Sequence, residues 1–130
     1  MTVEDLEAIR EVMHLYCQYL DEADSESWIS LFVEEGSLEL NTGVEPLVGR
    51  EALRAFASGR VSENSLHVSS DHVIRVDGDQ ATAASTIIVV SGREDPRVRL
   101  AGRFADQLRR DGGKWRIVSR RLDPRFRLPA

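Results

Sequence analysis

Two side chains in this sequence could form an acid–base pair. Asp21 follows the last apolar residue of the first predicted helix, and His67 opens the first long predicted strand. A carboxylate that hydrogen-bonds one imidazole nitrogen orients the ring and leaves the other nitrogen to take or give a proton. If the fold brings these two elements together, the pair can act as a general base with its orienting acid.

Asp21 is unusual because helix C-termini carry partial negative charge and favour cations. On a helical wheel it lies beside Cys17, at the edge of the buried stripe, so it can face the interior. There an imidazole that accepts a proton would compensate its charge. The alternative is a solvated loop carboxylate, and position alone leaves both interpretations open.

The face of the strand that carries His67 decides whether the ring can line a pocket. Strict alternation places Ser69 and Asp71 beside it, whereas His72 falls on the opposite, mostly apolar face. We therefore predict that His72 is a packed core histidine. A polar face can line a pocket or face water, and alternation does not distinguish the two.

A second carboxylate, Asp106, shares a strand face with apolar residues and therefore needs a partner. Arg121, in phase with Trp115 on the last predicted strand, is the predicted partner. The pair could lock the sheet or contact a substrate. Four large aromatic side chains are predicted in the core, although any of them could line an apolar cavity: Trp28, Phe32, Phe104 and Trp115.

Other reactive signatures are missing from the sequence. It contains neither a Gly-x-Ser-x-Gly elbow nor a glycine-rich phosphate loop, and its three histidines lack zinc-ligand spacing. We therefore expect no metal and no cofactor. Cys17 is the single cysteine, so no internal disulfide can form, and we predict a buried thiol.

Composition favours one globular domain spanning residues 1–130. Hydrophobic residues make up 42% and charged residues 30% of the chain, which is typical of a folded protein. No apolar run approaches the roughly 20 residues that a membrane helix needs. The acidic N-terminus does not resemble a signal peptide, so we expect a cytoplasmic location.

The net charge of −5 conceals an asymmetry, because residues 93–130 hold twelve of the seventeen basic side chains. A basic segment can indicate nucleic-acid binding. Aromatic residues are only 6%, however, and none interleave with the arginines as base stacking would require. We expect no nucleic-acid partner, and interpret the arginines as a solvated or dimer-facing sheet surface.

The elements that would position these residues form an α+β domain, with helices in the first half and strands in the second. Spacing predicts helices at about Val3–Leu20, Ser25–Glu34 and Glu51–Ala57, with short extended pieces at Ser37–Leu40 and Pro46–Val48. Alternation and turn residues predict a four-stranded antiparallel meander. Its strands are His67–Val76, Gln80–Ser91, Arg97–Arg109 and Lys114–Leu122, of which Gln80–Ser91 should be central.

This arrangement resembles the SnoaL-like domains of the nuclear transport factor 2-like superfamily. The resemblance covers nearly the whole chain. The segments that carry it, in order, are Tyr16–Asp21, Trp28–Phe32, Gly49–Leu53, Asp77–Ala81, Gly102–Leu108 and Gly113–Ile117.

The resemblance implies a cone-shaped α+β barrel with a small-molecule pocket between three helices and a curved antiparallel sheet, and a homodimer formed through the sheet. Some members are cofactor-free lyases, isomerases or hydrolases, such as scytalone dehydratase and bile acid dehydratase. In these an Asp of the first helix region orients a proton-transferring His, and Asp21 and His67 occupy the matching positions. Tyr16 matches a further functional position. We expect these three residues to be catalytic, on an apolar, oxygenated molecule.

Two features depart from that pattern. Scytalone dehydratase uses a second histidine on the following strand, which Gln80–Ser91 lacks, and Asp71 stands where such sequences often have Asn. Asp71 could compete with Asp21 for His67. The final segment, through Arg120-Arg121-Leu122-Asp123, also resembles the β subunits of ring-hydroxylating dioxygenases, which have this fold without an active site, so a non-catalytic assembly or ligand-binding role is the alternative.

Overall fold

The computed structural model describes residues 2–60 and 64–128. Helix α1 (Val3–Asp21) begins after Thr2, whose Oγ1 accepts a hydrogen bond from the Asp5 backbone at 3.0 Å. The Asp5 carboxylate accepts one from the Thr2 backbone in return, which completes a capping box. The buried stripe of α1 consists of Ile9, Val12, Met13, Tyr16, Cys17 and Leu20.

Helix α2 (Ser25–Ile29) is much shorter than the predicted Ser25–Glu34. The chain leaves the helix at Ser30, and strand β1 (Phe32–Glu39) follows. The Ile117 backbone N–H donates to the Leu31 carbonyl at 2.8 Å, so pairing with the last strand extends this segment despite its helical apolar spacing. Helix α3 (Arg50–Ser58) matches its prediction within one residue at each end.

The remaining strands are β2 (Leu47–Val48), β3 (Ser65–Asp77), β4 (Gln80–Ser91), β5 (Arg97–Asp111) and β6 (Lys114–Arg127). They form one curved, open sheet in the order β2-β1-β6-β5-β4-β3, so the predicted meander is confirmed and β4 has a neighbour on each side. The sheet is not wholly antiparallel, because β1 runs parallel to β6.

A bulge in β3 changes which of its residues face the helices. Ser70 pairs with Thr86 and Val73 with Ala84, so Asp71 and His72 together oppose one residue of β4. Asp71 adopts a left-handed φ of 56°. The alternation therefore reverses at this point. His67 and His72 lie on the same inner face, and Asp71 is exposed, contrary to the sequence prediction.

A second bulge lies in β6. Gln107 pairs with Ser119 while Leu108 pairs with Ile117, which leaves Val118 as the extra residue. The alternation shifts again, so that Arg120 is buried and Arg121 is exposed.

The helices cover the inner face of the sheet, and the core lies between these two layers. Its centre is an aromatic cluster in which Tyr16 contacts three other rings, with centroids 5.5 Å from Trp28, 6.4 Å from Phe32 and 5.7 Å from Phe104. Within residues 2–60 and 64–128, none of the helices has both the length and the apolar character needed to cross a membrane.

Candidate active site

The structure brings Asp21 and His67 into direct contact. Asp21 Oδ1 lies 2.6 Å from His67 Nδ1, and both carboxylate oxygens lie 3.1 Å from the His67 backbone nitrogen. A carboxylate oxygen accepts here, so His67 Nδ1–H donates, and no hydrogen bond among the described residues involves Nε2. The carboxylate thus holds the ring in one orientation and one tautomer.

The fold explains why these residues meet. Strand β3 lies at the edge of the sheet, and α1 packs against it. The backbone N–H of His67 points away from β4 and needs an acceptor, which the last residue of α1 supplies. Asp21 therefore ties the helix end to the sheet edge and orients the imidazole with the same carboxylate.

Burial favours the neutral form of His67. Its side chain is 9% exposed, and this desolvation lowers the pKa below the ordinary value of 6.5. The hydrogen bond that His67 donates to Asp21 opposes that shift, whereas the positive charge of Arg60 reinforces it. A neutral imidazole with a free Nε2 can accept a proton near pH 7.

Tyr16 supplies a hydroxyl in the same region. Burial raises the pKa of Tyr16 to about 12, so its phenol stays protonated at neutral pH. Among the described residues, no hydrogen bond involves the Tyr16 hydroxyl. It is therefore available to donate to a ligand oxygen.

A cavity of about 220 Å³ lies next to these groups. His67, Tyr16, Arg60 and Thr42 line it together with eight apolar side chains, among them Leu20, Leu40, Ile87 and Phe104. Larger grooves of about 430 and 580 Å³ run along the sheet away from this pair and contain no histidine. The inner cavity is the place where a ligand could meet the acid–base pair.

Arg120, rather than Arg121, is the partner of Asp106. Arg120 donates from Nε to Oδ1 at 2.7 Å and from Nη2 to Oδ2 at 3.2 Å, and both side chains are almost fully buried. The guanidinium also stacks on Phe104, 3.7 Å from the ring centre. The predicted ion pair exists with a different arginine because the bulge at Val118 moves Arg121 to the opposite face.

Three further candidate ligand contacts lie away from the cavity. Trp28 and Phe32 are fully buried in the aromatic core. Asp71 is exposed and accepts a hydrogen bond from the Thr86 hydroxyl at 3.1 Å, so it does not compete for His67. Of the predicted aromatic contacts, Phe104 lines the cavity.

His72 is half-buried on the inner face rather than in the core as predicted, and a neighbouring side chain holds it. Its Nε2 lies 2.7 Å from Ser69 Oγ, and its ring meets that of His14 edge to face at 5.2 Å. Burial lowers the pKa of His72, and the neighbouring His14 acts in the same direction.

Cys17 is buried as predicted, which raises the pKa of its thiol to about 11.

Sequence reasoning missed Arg60 and Arg120. Arg60 stands beyond the predicted third helix, and its proximity to His67 depends on how α3 and β3 are brought together. Strict alternation places Arg120 on the outer face, and only the bulge at Val118 turns it inward.

Across residues 2–60 and 64–128, no three His, Cys, Asp or Glu side chains cluster closely enough to hold a metal ion.

Comparison with known families identifies this architecture. The family model of the SnoaL-like domain matches residues 1–121. The chain belongs to the SnoaL-like family. The SnoaL-like chain is 30% identical to Rv3472 of Mycobacterium tuberculosis, a protein of unknown function, over 92% of this chain and 71% of the other, with a TM-score of 0.84. A Nostoc punctiforme protein of unknown function with a cystatin-like fold is 29% identical, covering 99% and 97% of the two chains, with a TM-score of 0.88.

Two Novosphingobium aromaticivorans proteins below 25% identity share the fold of this SnoaL-like domain. A provisionally assigned scytalone dehydratase is 22% identical over 95% of this chain and 86% of the other, with a TM-score of 0.84. The β subunit of a provisionally assigned aromatic-ring-hydroxylating dioxygenase is 24% identical over 99% and 95%, with a TM-score of 0.79. A comparison with curated proteins gives no match.

Proposed function

We propose that this SnoaL-like domain is a cofactor-independent lyase or isomerase in which His67 is the general acid/base. The observation that carries the proposal is the 2.6 Å hydrogen bond between Asp21 and His67 at the wall of an apolar cavity. Such an arrangement suits a small, largely apolar molecule that carries oxygen.

The chemistry begins with proton removal from a carbon next to a carbonyl group. His67 Nε2 takes the proton, and Asp21 stabilises the imidazolium that forms. Negative charge develops on the carbonyl oxygen, to which the Tyr16 hydroxyl donates a hydrogen bond. Burial keeps that hydroxyl protonated, as its role requires.

Two outcomes follow from the enolate. In a lyase, the electron pair forms a carbon–carbon double bond and expels a hydroxyl from the next carbon, which leaves as water with the proton from His67. In an isomerase, the imidazolium returns the proton to a different carbon. Each proton transfer of this kind typically contributes about 10²–10⁴-fold to the rate.

Solvent-deuterium exchange tests the proposal without a known natural substrate. The probes are one- and two-ring enolisable ketones, among them 2-tetralone, whose exchange in D₂O is followed by proton NMR. His67→Gln should reduce catalysed exchange by about 10²–10⁴-fold. His14→Gln is the matched control, because it removes an exposed imidazole outside the cavity and should keep the activity. Exchange that does not depend on His67 would contradict the proposal.

A non-catalytic assembly role is the second candidate. The observation that favours it is the aromatic cluster of Tyr16, Trp28, Phe32 and Phe104, which fills the core beside the cavity and limits its volume. The fold is also that of the Novosphingobium dioxygenase β subunit. This role predicts a stable complex with a larger partner subunit on gel filtration and no exchange activity.

The outer face of the sheet, which the helices do not cover, suits a homodimer. The strand register aligns Val68, Ile88, Ala101 and Phe126 in one row across four strands, and the Phe126 side chain is 75% exposed. We propose that a second copy covers this row. Light scattering should show a dimer that Phe126→Glu converts to monomer, while Val48→Glu on β2 leaves it intact. A monomeric wild-type protein would contradict the proposal.

A further inference from the structure

The polar groups of the cavity include one cation whose role the acid–base mechanism does not explain. Of the twelve side chains that line the cavity, eight are apolar, and the remaining four are Tyr16, Thr42, Arg60 and His67. Tyr16 and His67 have roles in the proposed proton transfer. Arg60 alone among the four carries a full positive charge at neutral pH.

The position of Arg60 is defined by two contacts. Its Nη2 donates to Ser65 Oγ at 3.2 Å, and its guanidinium carbon lies 5.8 Å from the centre of the Phe56 ring. Phe56 itself lines the cavity, and Ser65 lies two residues before His67 on the same face of β3. These contacts hold the guanidinium beside the imidazole.

Several arginines of this fold pair with a carboxylate, whereas Arg60 has no such counter-ion among the described residues. Arg10, Arg54, Arg110 and Arg120 each pair with a carboxylate. Within residues 2–60 and 64–128, no carboxylate lies within 4.0 Å of the Arg60 guanidinium. Pairing a half-buried cation with an anion offsets the cost of its burial. Among the described residues, the Arg60 guanidinium donates one hydrogen bond, to Ser65, of the five that it can donate.

The cavity volume restricts what else the anion can carry. An apolar cavity of about 150 Å³ holds a single benzene ring, and pockets for drug-sized ligands measure about 300–1,000 Å³. At about 220 Å³, this cavity suits a molecule of one or two rings. Its apolar lining suits an unsubstituted ring face.

We propose that Arg60 binds the carboxylate of a one- or two-ring substrate whose ring fills the cavity beside His67. The proposal rests on the function proposed above and specifies its substrate class. A carboxylate fits because its two oxygens match the parallel N–H groups of a guanidinium. A phosphate dianion would leave one negative charge uncompensated in largely apolar surroundings.

Bound in this way, the substrate is oriented by its two ends. Arg60 holds the carboxylate, the apolar lining excludes water from the ring, and the carbon that loses its proton lies within reach of His67 Nε2. Burial lowers the pKa of His67 and the positive charge of Arg60 acts in the same direction, so both favour the neutral imidazole that accepts the proton.

Calorimetric titration with paired probes tests the proposal. The pairs are benzoate with benzamide and 2-naphthoate with 2-naphthamide, which match in shape and differ in charge. Wild-type protein should bind each carboxylate about 10- to 100-fold more tightly than its amide, as expected for a charge-assisted hydrogen bond. Arg60→Gln should reduce that ratio to about one by weakening carboxylate binding, with amide binding unchanged.

Arg54→Gln is the matched control, because it also removes one positive charge, at an exposed residue of α3 that pairs with Glu26. This variant should keep the wild-type ratio of carboxylate to amide affinity. Arg60→Lys, which retains the charge but not the planar fork, should give an intermediate ratio. Thermal unfolding of each variant verifies that it is folded.

The result separates this proposal from the catalytic one. His67→Gln should lose deuterium exchange and still prefer carboxylates, because Arg60 is intact. Failure of wild-type protein to bind either carboxylate, or an equal preference in wild type and Arg60→Gln, would overturn the carboxylate site. Exchange that survives in His67→Gln would instead overturn the catalytic proposal and leave the binding result standing.

Discussion

Asp21 accepts hydrogen bonds from two groups of His67, the ring Nδ1 at 2.6 Å and the backbone N–H at 3.1 Å. One carboxylate therefore sets both the position of the strand edge and the tautomer of the ring. The two tasks can be separated by substitution, because an amide oxygen can replace the carboxylate toward the backbone but the amide nitrogen cannot accept from Nδ1–H.

Asp21→Asn should leave the fold intact and reverse the tautomer of His67. The Asn oxygen can still accept the backbone N–H, while its NH₂ group forces Nδ1 to act as acceptor and places the proton on Nε2. We expect catalysed deuterium exchange to fall by roughly 10²–10⁴-fold. Nitrogen NMR of the imidazole should show the changed tautomer.

Asp24→Asn provides the control for that substitution. Asp24 caps α2 through the Ser27 backbone, and Asn caps helices equally well, so activity and stability should stay close to wild type. An Asp21→Asn variant with full activity would show that the carboxylate serves only the backbone.

Exchange activity should depend on pH through the neutral form of His67. Burial holds the pKa of this base below 6.5, so the ring is neutral at pH 7 and the rate should be constant there. The rate should fall as the pH drops below 6.5 and passes through the lowered pKa, because protonation occupies Nε2. The groups that face the ring are Asp21 and Arg60, and Arg60→Gln should move the acid limb to higher pH. A rate that rises with acidity would contradict a basic role for His67.

Tyr16→Phe should lower activity with little change in stability. The Tyr16 hydroxyl makes no hydrogen bond with the described residues, so the ring can be kept while only the donor to the substrate is lost. A hydrogen bond to a charged oxygen is worth about 1.5–3 kcal/mol, which corresponds to a loss of roughly 10- to 150-fold in rate. Tyr19→Phe, on the same helix outside the cavity, should be neutral. Equal rates for both variants would remove Tyr16 from the mechanism.

Arg120→Met should destabilise the protein severely. The substitution leaves the Asp106 carboxylate buried without its cation, which typically costs about 3–5 kcal/mol. Arg121→Met changes the same residue type at the adjacent exposed position and should alter the free energy of unfolding by less than about 0.5 kcal/mol. Urea unfolding of both variants measures the difference. Comparable losses at the two positions would contradict a specific role for the buried Arg120–Asp106 pair.

Much of this fold could be predicted from local sequence signals. The capping box and apolar stripe of α1 follow from Thr2, Asp5 and the 3-4 spacing, because helix ends and buried faces depend on residues a few positions apart. Asp77-Gly78-Asp79 predicts the β3–β4 hairpin for the same reason. Asp21 and His67 could be selected as candidates because each was a titratable residue at the end or start of an otherwise regular element.

Only the tertiary structure decided which side chains meet. Two bulges, at Asp71 and Val118, reverse the strand alternation. As a result, His72 faces inward where alternation predicts Asp71, and Arg120 faces inward where it predicts Arg121. Pairing with β6 converts the predicted end of α2 into β1, and the approach of α3 to β3 places Arg60 at the cavity. These outcomes depend on hydrogen bonds and packing between residues far apart in the chain. The spacing of residues along a single element therefore cannot predict them.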